Sequence, residues 1–394
     1  MPVGSFGEVL LTFLRLGLTS FGGPVAHLGY FRSEIVERRK WVDEATYADL
    51  VVLCQFLPGP ASSQVGMALG ITRAGLRGGL AAWLGFTLPS ALLMLACAYG
   101  VAALPTEADL GWLRGLKIVA VAVVAQAVWG MARTLCPDRP RATIALVAAA
   151  IALLWPAALG QVVIIVLAGL LGRRLFTATV DVVAVTRTSR TIGRGLATAS
   201  LALFFVLLLV LPLARTALPN LHVLGLIDSF YRAGALVFGG GHVVLPLLQA
   251  EVVPPGWLSN EQFVAGYGAA QAVPGPLFTF AAYLGAVAQP TPNGWLGGLI
   301  ALLSIFLSSW LLIVGALPFW DVLRSRADIQ AALRGINAAV VGLLLAALYQ
   351  PVWTSAIAGP ADMALALGAF ALLVFWKVPP WLVVVLAAIG GAVL

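Results

Sequence analysis

The residues of this chain that could do chemistry occur twice, in the same order, along 394 residues. A motif of the form Phe-x-Arg-x-Gly-x-x-x-Phe-Gly-Gly spans 13–23 and returns at 230–240. Each copy is followed by a tryptophan and then by a glutamine three residues ahead of a Pro-Gly-Pro triplet, at 58–60 and 274–276. Arginines and helix-breaking residues that recur in both halves of an apolar chain indicate a transport site.

The arginines of the two motifs, Arg15 and Arg232, lie within apolar runs. Arg15 comes seven residues before Gly22, about two helical turns, so both residues face the same side of a helix. An arginine inside a membrane is costly unless it faces a cavity or a partner. A side chain that reaches from a helix end to the membrane surface is the alternative. Because the arginine recurs, we favour a role in binding an anion.

Glycines interrupt the helix after each arginine. They are Gly22 and Gly23, followed by Pro24, in the first copy, and Gly239, Gly240 and Gly241 in the second. Glycine adds backbone freedom and proline removes a hydrogen-bond donor, so both motifs predict a broken helix. Within lipid, such a break must be buried in protein or line an aqueous cavity. It exposes N–H groups at the start of the next half-helix, where an anion can bind. Close helix packing is the alternative.

The Pro-Gly-Pro segments cannot continue an α-helix and must kink or turn. In the first copy the segment contains the polar or helix-breaking residues Gln55, Pro58, Gly59, Pro60, Ser62, Ser63 and Gln64. Because proline suits the first turn of a helix, a half-helix can restart at Pro60, and the polar groups after it could bind an oxyanion. The second copy keeps Gln271, Pro274, Gly275 and Pro276 but continues with less polar residues. We therefore expect two unequal half-sites.

Two of the three histidines, His27 and His242, follow the glycine breaks, although two positions out of register. A histidine titrates near neutral pH, so a proton-linked role fits, and a capping or packing role fits as well. Glu34 and Glu251 also align between the copies, and we interpret them as residues of a solvated loop face.

Composition assigns the chain to a membrane. Hydrophobic residues make up 61% of it, charged residues only 10%, and the mean hydropathy is +1.00. Soluble proteins carry about 25% charged residues. The net charge of +7 lies mostly in short loops, as membrane orientation requires, so we expect no nucleic acid. The three cysteines have no metal-binding spacing, and no catalytic constellation or nucleotide-binding loop is present. We predict no metal, no cofactor and no enzyme.

The apolar runs predict an all-α polytopic membrane protein with two homologous halves, 1–175 and 221–394. Between them, 176–220 holds a basic linker and an extra apolar helix at 196–214 that has no counterpart. We predict about 10–13 membrane segments, arranged as an inverted-topology repeat with broken or re-entrant helices.

Two topologies remain open from the sequence. If every segment crosses, there are thirteen spans, and the odd central span inverts the second half. If each Pro-Gly-Pro segment is instead a re-entrant hairpin, the basic residues at 38–40 lie inside with those of the other basic loops. The matching loop of the second half, 249–262, has no lysine or arginine, as an outside loop allows. In this scheme 196–214 must fail to cross. Both schemes place the C-terminus outside.

The motifs of the first copy resemble those of a known protein family. Phe21-Gly-Gly-Pro-x-x-His27-x-Gly29-Tyr30-Phe31 and Leu53-Cys-Gln-x-Leu-Pro-Gly-Pro-Ala-Ser-Ser-Gln64 are similar to the chromate ion transporter family. The second copy resembles the C-terminal domain of its two-domain members. The resemblance implies a multi-pass protein of a bacterial-type inner membrane. It further implies export of chromate, driven by the proton motive force, which confers chromate resistance.

The residues themselves are compatible with a carrier for a tetrahedral dianion, held between the two halves but nearer the first. A carrier for sulfate or another oxyanion is the nearest alternative, because sulfate has the same charge and shape as chromate. A membrane-embedded enzyme and a purely structural protein are alternatives of other classes. We expect the lipid bilayer, the oxyanion and a coupling proton as partners, and a homodimer is an open alternative for the assembly.

Overall fold

A computed structural model describes residues 4–21, 23–102, 111–155, 158–176, 192–238, 243–289, 291–320 and 326–393, and within these ranges all regular structure is helical. Five of the described helices are long and apolar enough to cross a membrane: Ala61–Gly100, Arg114–Leu135, Arg194–Ala217, Gly294–Phe319 and Ala327–Ala356. The prediction of an all-α, multi-pass membrane protein is thereby confirmed.

The described part of the first half contains seven α-helices. They are α1 (Phe6–Thr19), α2 (Gly23–Phe31), α3 (Glu44–Phe56), α4 (Ala61–Ala102), α5 (Gly111–Leu135), α6 (Arg139–Leu154) and α7 (Ala158–Leu175). A π-helical segment, Arg32–Arg38, extends α2. Helix α4 turns back on itself at Ala74 and Gly75, whose backbone angles are not helical.

The unrepeated helix and the second half follow. They are α8 (Arg194–Ala217), α9 (His222–Ala235), α10 (Val244–Val252), α11 (Asn260–Ala272), α12 (Phe280–Val287), α13 (Gly294–Ala316), α14 (Ala327–Ala347), α15 (Pro360–Val374) and α16 (Pro380–Val393). Side-chain caps fix the N-termini of two of these helices. Asp43 caps α3, and Ser259 and Gln262 form a reciprocal capping box at the start of α11.

Both Pro-Gly-Pro segments are re-entrant hairpins, which we call the proline hairpins. In the first, the Arg73 guanidinium at the end of the hairpin lies 5.2 Å from the ring of Trp41 at its beginning. In the second, the matching residues Gln289 and Trp257 are joined by a backbone hydrogen bond of 2.8 Å. The hydroxyl of Tyr283 in α12 also reaches back to the carbonyl of Gln262 in α11, at 3.1 Å. The chain therefore enters and leaves on one face.

The glycine-broken segments fold back as well, and we call them the glycine hairpins. Glu8, near the start of α1, pairs with Arg73 at 2.9 Å, and Arg39, beyond the end of α2, stacks on the same Trp41 as Arg73. In the second half, Glu251 at the end of α10 pairs with Arg232 of α9 at 2.9 Å. Each half thus begins with two hairpins.

The hairpin bases of the two halves lie at opposite faces of the molecule. Helix α4 leaves the face of Arg73, and its far end is bound to the start of α13, where the Tyr99 hydroxyl accepts a hydrogen bond from the Trp295 backbone at 2.8 Å. Between these ends α4 and α13 pack antiparallel, with the rings of Trp83 and Phe306 5.7 Å apart. Equivalent helices therefore run in opposite directions, and the predicted inverted repeat is confirmed.

Helix α8 links the two faces. Near its start, the Ala197 carbonyl lies against Gly315 at the end of α13. Near its end, Arg215 lies 5.8 Å from the ring of Trp257. The expectation that 196–214 fails to cross if the proline segments re-enter was wrong. That expectation counted 5–27 as a membrane crossing. Because 5–27 also folds back, the first half has one crossing fewer, and α8 must cross for the second half to be inverted.

The halves interlock beyond the hairpins. Helix α5 packs against α15 and α16, and α14 packs between α6 and α7. The two contacts are equivalent, because Gly115 touches the backbone of Ala387 while Gly335 touches the backbone of Ala168. Glycine allows helices to approach closely in a membrane, where packing replaces the hydrophobic effect. This frame fixes the hairpins that carry the candidate site.

Candidate functional site

The tips of the four hairpins meet in pairs inside the protein. The Gly59 amide at the tip of the first proline hairpin donates to the carbonyl of Val237, at 2.6 Å. Reciprocally, the Gly275 amide donates to the carbonyl of Ser20, at 2.9 Å. Ser20 and Val237 occupy equivalent positions in the two glycine hairpins. Each proline hairpin is therefore bound to the glycine hairpin of the opposite half.

Glycine is required at both proline-hairpin tips. Gly59 has φ +121° and Gly275 has φ +96°, a backbone region that residues with a side chain rarely adopt. A Cβ at Gly59 would lie 2.6 Å from Gln64 Nε2 and 2.8 Å from Ser309 Oγ. A Cβ at Gly275 would lie 2.9 Å from Ser90 Oγ. At least one polar side chain therefore lies at contact distance from each tip.

Predicted first-copy residues meet at these tips. Gln64 donates from Nε2 to the Pro58 carbonyl at 2.7 Å, which closes the turn before α4. His27, which is buried, lies with Nδ1 3.3 Å from Ser62 Oγ. Of the other polar residues predicted for the first site, Gln55 faces outward and is exposed.

Several buried polar atoms around the tips have no hydrogen-bond partner among the described residues. They are Ser20 Oγ, His27 Nε2, Ser63 Oγ, Gln64 Oε1, Thr87 Oγ1, Gln271 Nε2 and Ser309 Oγ. Buried polar groups in proteins are nearly always paired, so such a group of unpaired atoms calls for an explanation. A polar ligand that accepts hydrogen bonds from hydroxyl and amide groups would satisfy most of them.

The remaining predicted residues of the breaks divide into those that the structure describes and those that it does not. Gly23, Pro24, Pro60, Pro274 and Pro276 form the turns at the hairpin tips, and α2 and α4 start directly after the first two breaks. Gly22, Gly239, Gly240, Gly241 and His242 lie outside the described residues. Ser20, Thr87 and Ser309 were not predicted, because Ser20 is a position of the first motif that the second copy does not repeat, and Thr87 and Ser309 lie in apolar helices with no motif around them.

The two repeated arginines have different surroundings. Arg15 is exposed in a cleft of about 430 Å³ between α1 and the end of its hairpin, which Glu34, Glu37 and Arg38 also line. Within the described residues Arg15 has no ion pair, since both of these glutamates are paired with other arginines. Its guanidinium charge is therefore uncompensated by a direct partner.

Arg232, in contrast, belongs to a buried network of charges. Its Nη2 lies 2.8 Å from Asp228 and 2.9 Å from Glu251, and Arg215 of α8 lies 3.2 Å from Asp228. Ser229 donates a further hydrogen bond to Glu251 at 2.8 Å. The interpretation of Glu251 as a solvated loop residue was wrong, because its side chain is only 7% exposed. The sequence offered no signal for this, since Arg215 lies in the unrepeated helix.

The comparison with known proteins agrees with this two-part architecture. The chromate transporter family model matches residues 7–173 and 224–392, which is most of the chain and falls on both halves. The chain belongs to the chromate transporter family. Membership makes it a transporter rather than an enzyme, as the sequence predicted.

Relatives in this family match the chain over its whole length. A chromate transport protein of Pseudomonas aeruginosa is 30% identical over 99% of this chain and 92% of its own. A probable chromate transport protein of Synechococcus elongatus is 28% identical over 100% and 96%, and a chromate transport protein of Cupriavidus metallidurans is 27% identical over 100% and 94%. No solved structure matches the chain significantly.

Proposed function

We propose that this protein carries chromate across the bacterial inner membrane, out of the cytoplasm, and that the proton motive force drives it. The observation that carries the proposal is the group of unpaired buried polar atoms at the four hairpin tips. The tips come from opposite faces of an inverted repeat, so a site between them can be exposed to one face and then to the other. Family membership and the names of the relatives favour chromate as the substrate.

The chemistry of the tips fits an oxyanion. Hydroxyls of Ser20, Ser63 and Ser309 and the amide of Gln271 can each donate one hydrogen bond to an anionic oxygen. The helix that starts at Ala61 directs its N-terminus toward the same tip, and the positive end of its dipole favours an anion. Neutral donors replace water around the ion without holding it so strongly that it cannot leave.

Arg15 gives the cytoplasmic approach its charge in this proposal. The cleft that contains Arg15 is lined by residues of the first glycine hairpin. Arg15 comes five residues before Ser20, which lies at the tip of that hairpin. The basic residues at 38–40 lie at the same end of the molecule, which the positive-inside rule assigns to the cytoplasm. An anion from the cytoplasm would be attracted to Arg15 first and would then pass to the uncharged donors at the tips.

His27 is the group that we propose for proton coupling. It is the titratable side chain among the described residues of the tips, and its Nε2 has no partner there. Protonation would turn both ring nitrogens into donors and add a positive charge beside Ser62. A proton on His27 would therefore change the affinity of the tips for the anion, and export requires that the anion leaves on the side from which the proton arrives.

Inside-out membrane vesicles test the proposal directly. Vesicles that contain the protein should accumulate chromate when a proton gradient is imposed, and collapse of the gradient with an uncoupler should stop the accumulation. Ser63→Ala should reduce the initial rate several-fold, because it removes an unpaired donor at the tip. Thr72→Ala is the matched control on the same helix, since the Thr72 hydroxyl already donates to the Ala68 carbonyl at 2.9 Å.

Competition separates chromate from sulfate. A tenfold excess of sulfate should reduce chromate uptake only slightly if chromate is the preferred substrate, whereas uptake of labelled sulfate itself would favour the alternative carrier. Absence of chromate accumulation under a proton gradient, with the protein present in the membrane at normal amounts, would refute chromate export.

A further inference from the structure

Helices α6 and α7 form an apolar groove on the outside of the first half. They run antiparallel, so that Pro140 lies across from Leu175 at one end, and Trp155 lies across from Gly160 at the other. Ala339 of α14 forms part of the floor, and the groove encloses about 430 Å³. Its walls carry largely exposed side chains such as Val147, at 52%. A concave, apolar surface of this kind suits a flexible hydrocarbon chain better than a flat helix face does.

One end of the groove is strongly basic. A recess that shares Leu167 and Leu171 with the groove is also lined by Arg173 and Arg174. Arg173 has only a long ion pair with Asp328, at 3.7 Å, and its side chain is 55% exposed. Arg174 has no carboxylate partner among the described residues. The end of α7 packs against the start of α14. Helix α14 follows the end of α13, which lies at the face of the first proline hairpin, so the basic end of the groove lies at that face too.

We propose that this groove is a binding site for one anionic phospholipid of the cytoplasmic leaflet. An acyl chain would lie between α6 and α7, and the phosphate would lie on Arg173 and Arg174. The groove runs alongside 140–155, about 22 Å of helix, which exceeds the roughly 15 Å depth of one leaflet. Basic recesses between membrane helices on the cytoplasmic side bind anionic lipid head groups in this way.

The other half supplies an internal comparison. Helices α15 and α16 are the counterparts of α6 and α7, and they enclose α5 as α6 and α7 enclose α14. Neither Pro360–Val374 nor Pro380–Val393 contains a lysine or an arginine. A single lysine, Lys377, lies between them. The adjacent arginines that would hold a phosphate are therefore present at one of two equivalent helix pairs, and we expect a single high-affinity anionic lipid per chain.

Native mass spectrometry of the purified full chain tests the site. Phosphatidylglycerol and phosphatidylcholine with the same acyl chains would be added separately to delipidated protein. One phosphatidylglycerol should bind with high affinity, and the double variant Arg173→Gln/Arg174→Gln should bind it about 30-fold more weakly, since each basic residue near a membrane surface contributes roughly fivefold. Arg77→Gln is the control, because Arg77 is an exposed arginine at the same face that does not line the groove.

A second variant tests the groove without changing its charge. Val147→Trp should fill the apolar part and also displace the lipid, while thermal stability stays as in the wild type. Equal binding of phosphatidylcholine and phosphatidylglycerol would overturn the proposal, as would unchanged binding in the double arginine variant. A mass of two chains that dissociates on Val147→Trp would assign the groove to a second copy of the protein and would equally overturn it.

Discussion

Ser308 and Ser309 are neighbours on α13 that allow a matched test of the hairpin-tip site. Both are fully buried. Ser309 Oγ has no partner among the described residues and lies against Gly59, whereas Ser308 Oγ donates to the Ile305 carbonyl at 3.1 Å and lies against Gly234. We predict that Ser309→Ala weakens anion binding and that Ser308→Ala does not.

The two substitutions should have opposite effects on transport and on stability. A hydrogen bond to a charged group contributes about 1.5–3 kcal/mol, so loss of the Ser309 donor should raise KM for the anion by roughly 10- to 150-fold. The same substitution removes an unpaired buried hydroxyl, so the free energy of unfolding should stay the same or increase. Ser308→Ala loses a satisfied hydrogen bond and should cost at most about 1 kcal/mol of stability, with KM unchanged.

Initial rates of chromate uptake into inside-out vesicles, measured over a range of concentrations, would give KM for both variants. Thermal unfolding in detergent would give their relative stability. If Ser309→Ala destabilised the protein more than Ser308→Ala and left KM unchanged, Ser309 would be a packing residue, and the reasoning from unpaired atoms would be refuted.

Two further predictions concern glycines that the structure makes distinctive. Gly115→Ala should destabilise the protein by about 2 kcal/mol or more, because its Cβ would collide with the backbone of Ala387 across the α5–α16 contact. Gly130→Ala on the same helix is the control. Its Cβ would meet nothing within 4 Å, so it should be neutral or stabilising in the same thermal unfolding assay. Gly59→Ala should cost about 1–3 kcal/mol from its φ of +121° and should abolish uptake, whereas Gly29→Ala, which meets no atom within 4 Å, should retain both stability and uptake.

The broad architecture was predictable because it depends on features that a sequence displays directly. Length, hydropathy and the repeated motifs gave an all-α membrane protein with two halves. The contrast between the basic residues at 38–40 and the loop at 249–262, which has none, indicated inversion. Glycine and proline at known positions gave the breaks, because their backbone restrictions apply in any fold.

The parts that were missed depend on contacts between distant residues. A segment of spanning length such as 5–27 looks the same whether it crosses or folds back, since apolar composition does not record direction. The interlocking of α5 and α14 with the opposite half follows from close glycine contacts that no local pattern distinguishes from ordinary small residues. Ser309 became a candidate only because the tip of the first proline hairpin, at Gly59, lies against it.

The unrepeated helix α8 explains why the two halves are unequal. Leu11 of α1 is 67% exposed, whereas its counterpart in α9, Asp228, is 1% exposed because α8 covers that side. A carboxylate is therefore possible in the second half, where Arg215 of α8 can pair with it, and would be costly in the first. As a result Arg232 is tied to carboxylates and Arg15 is not.

This asymmetry gives the two arginines different predicted phenotypes. Arg232→Gln would leave the carboxylates of Asp228 and Glu251 with Arg215 as their remaining arginine partner, and it should destabilise the protein by about 2 kcal/mol. This loss is below the full cost of breaking a buried ion pair, because the Arg232 side chain is 20% exposed. Arg15→Gln should leave the unfolding temperature unchanged and reduce chromate uptake at low concentrations, where attraction to the cleft matters most. Equal loss of stability in both variants would mean that Arg15 also has a structural partner, and unchanged uptake in Arg15→Gln would remove it from the transport path.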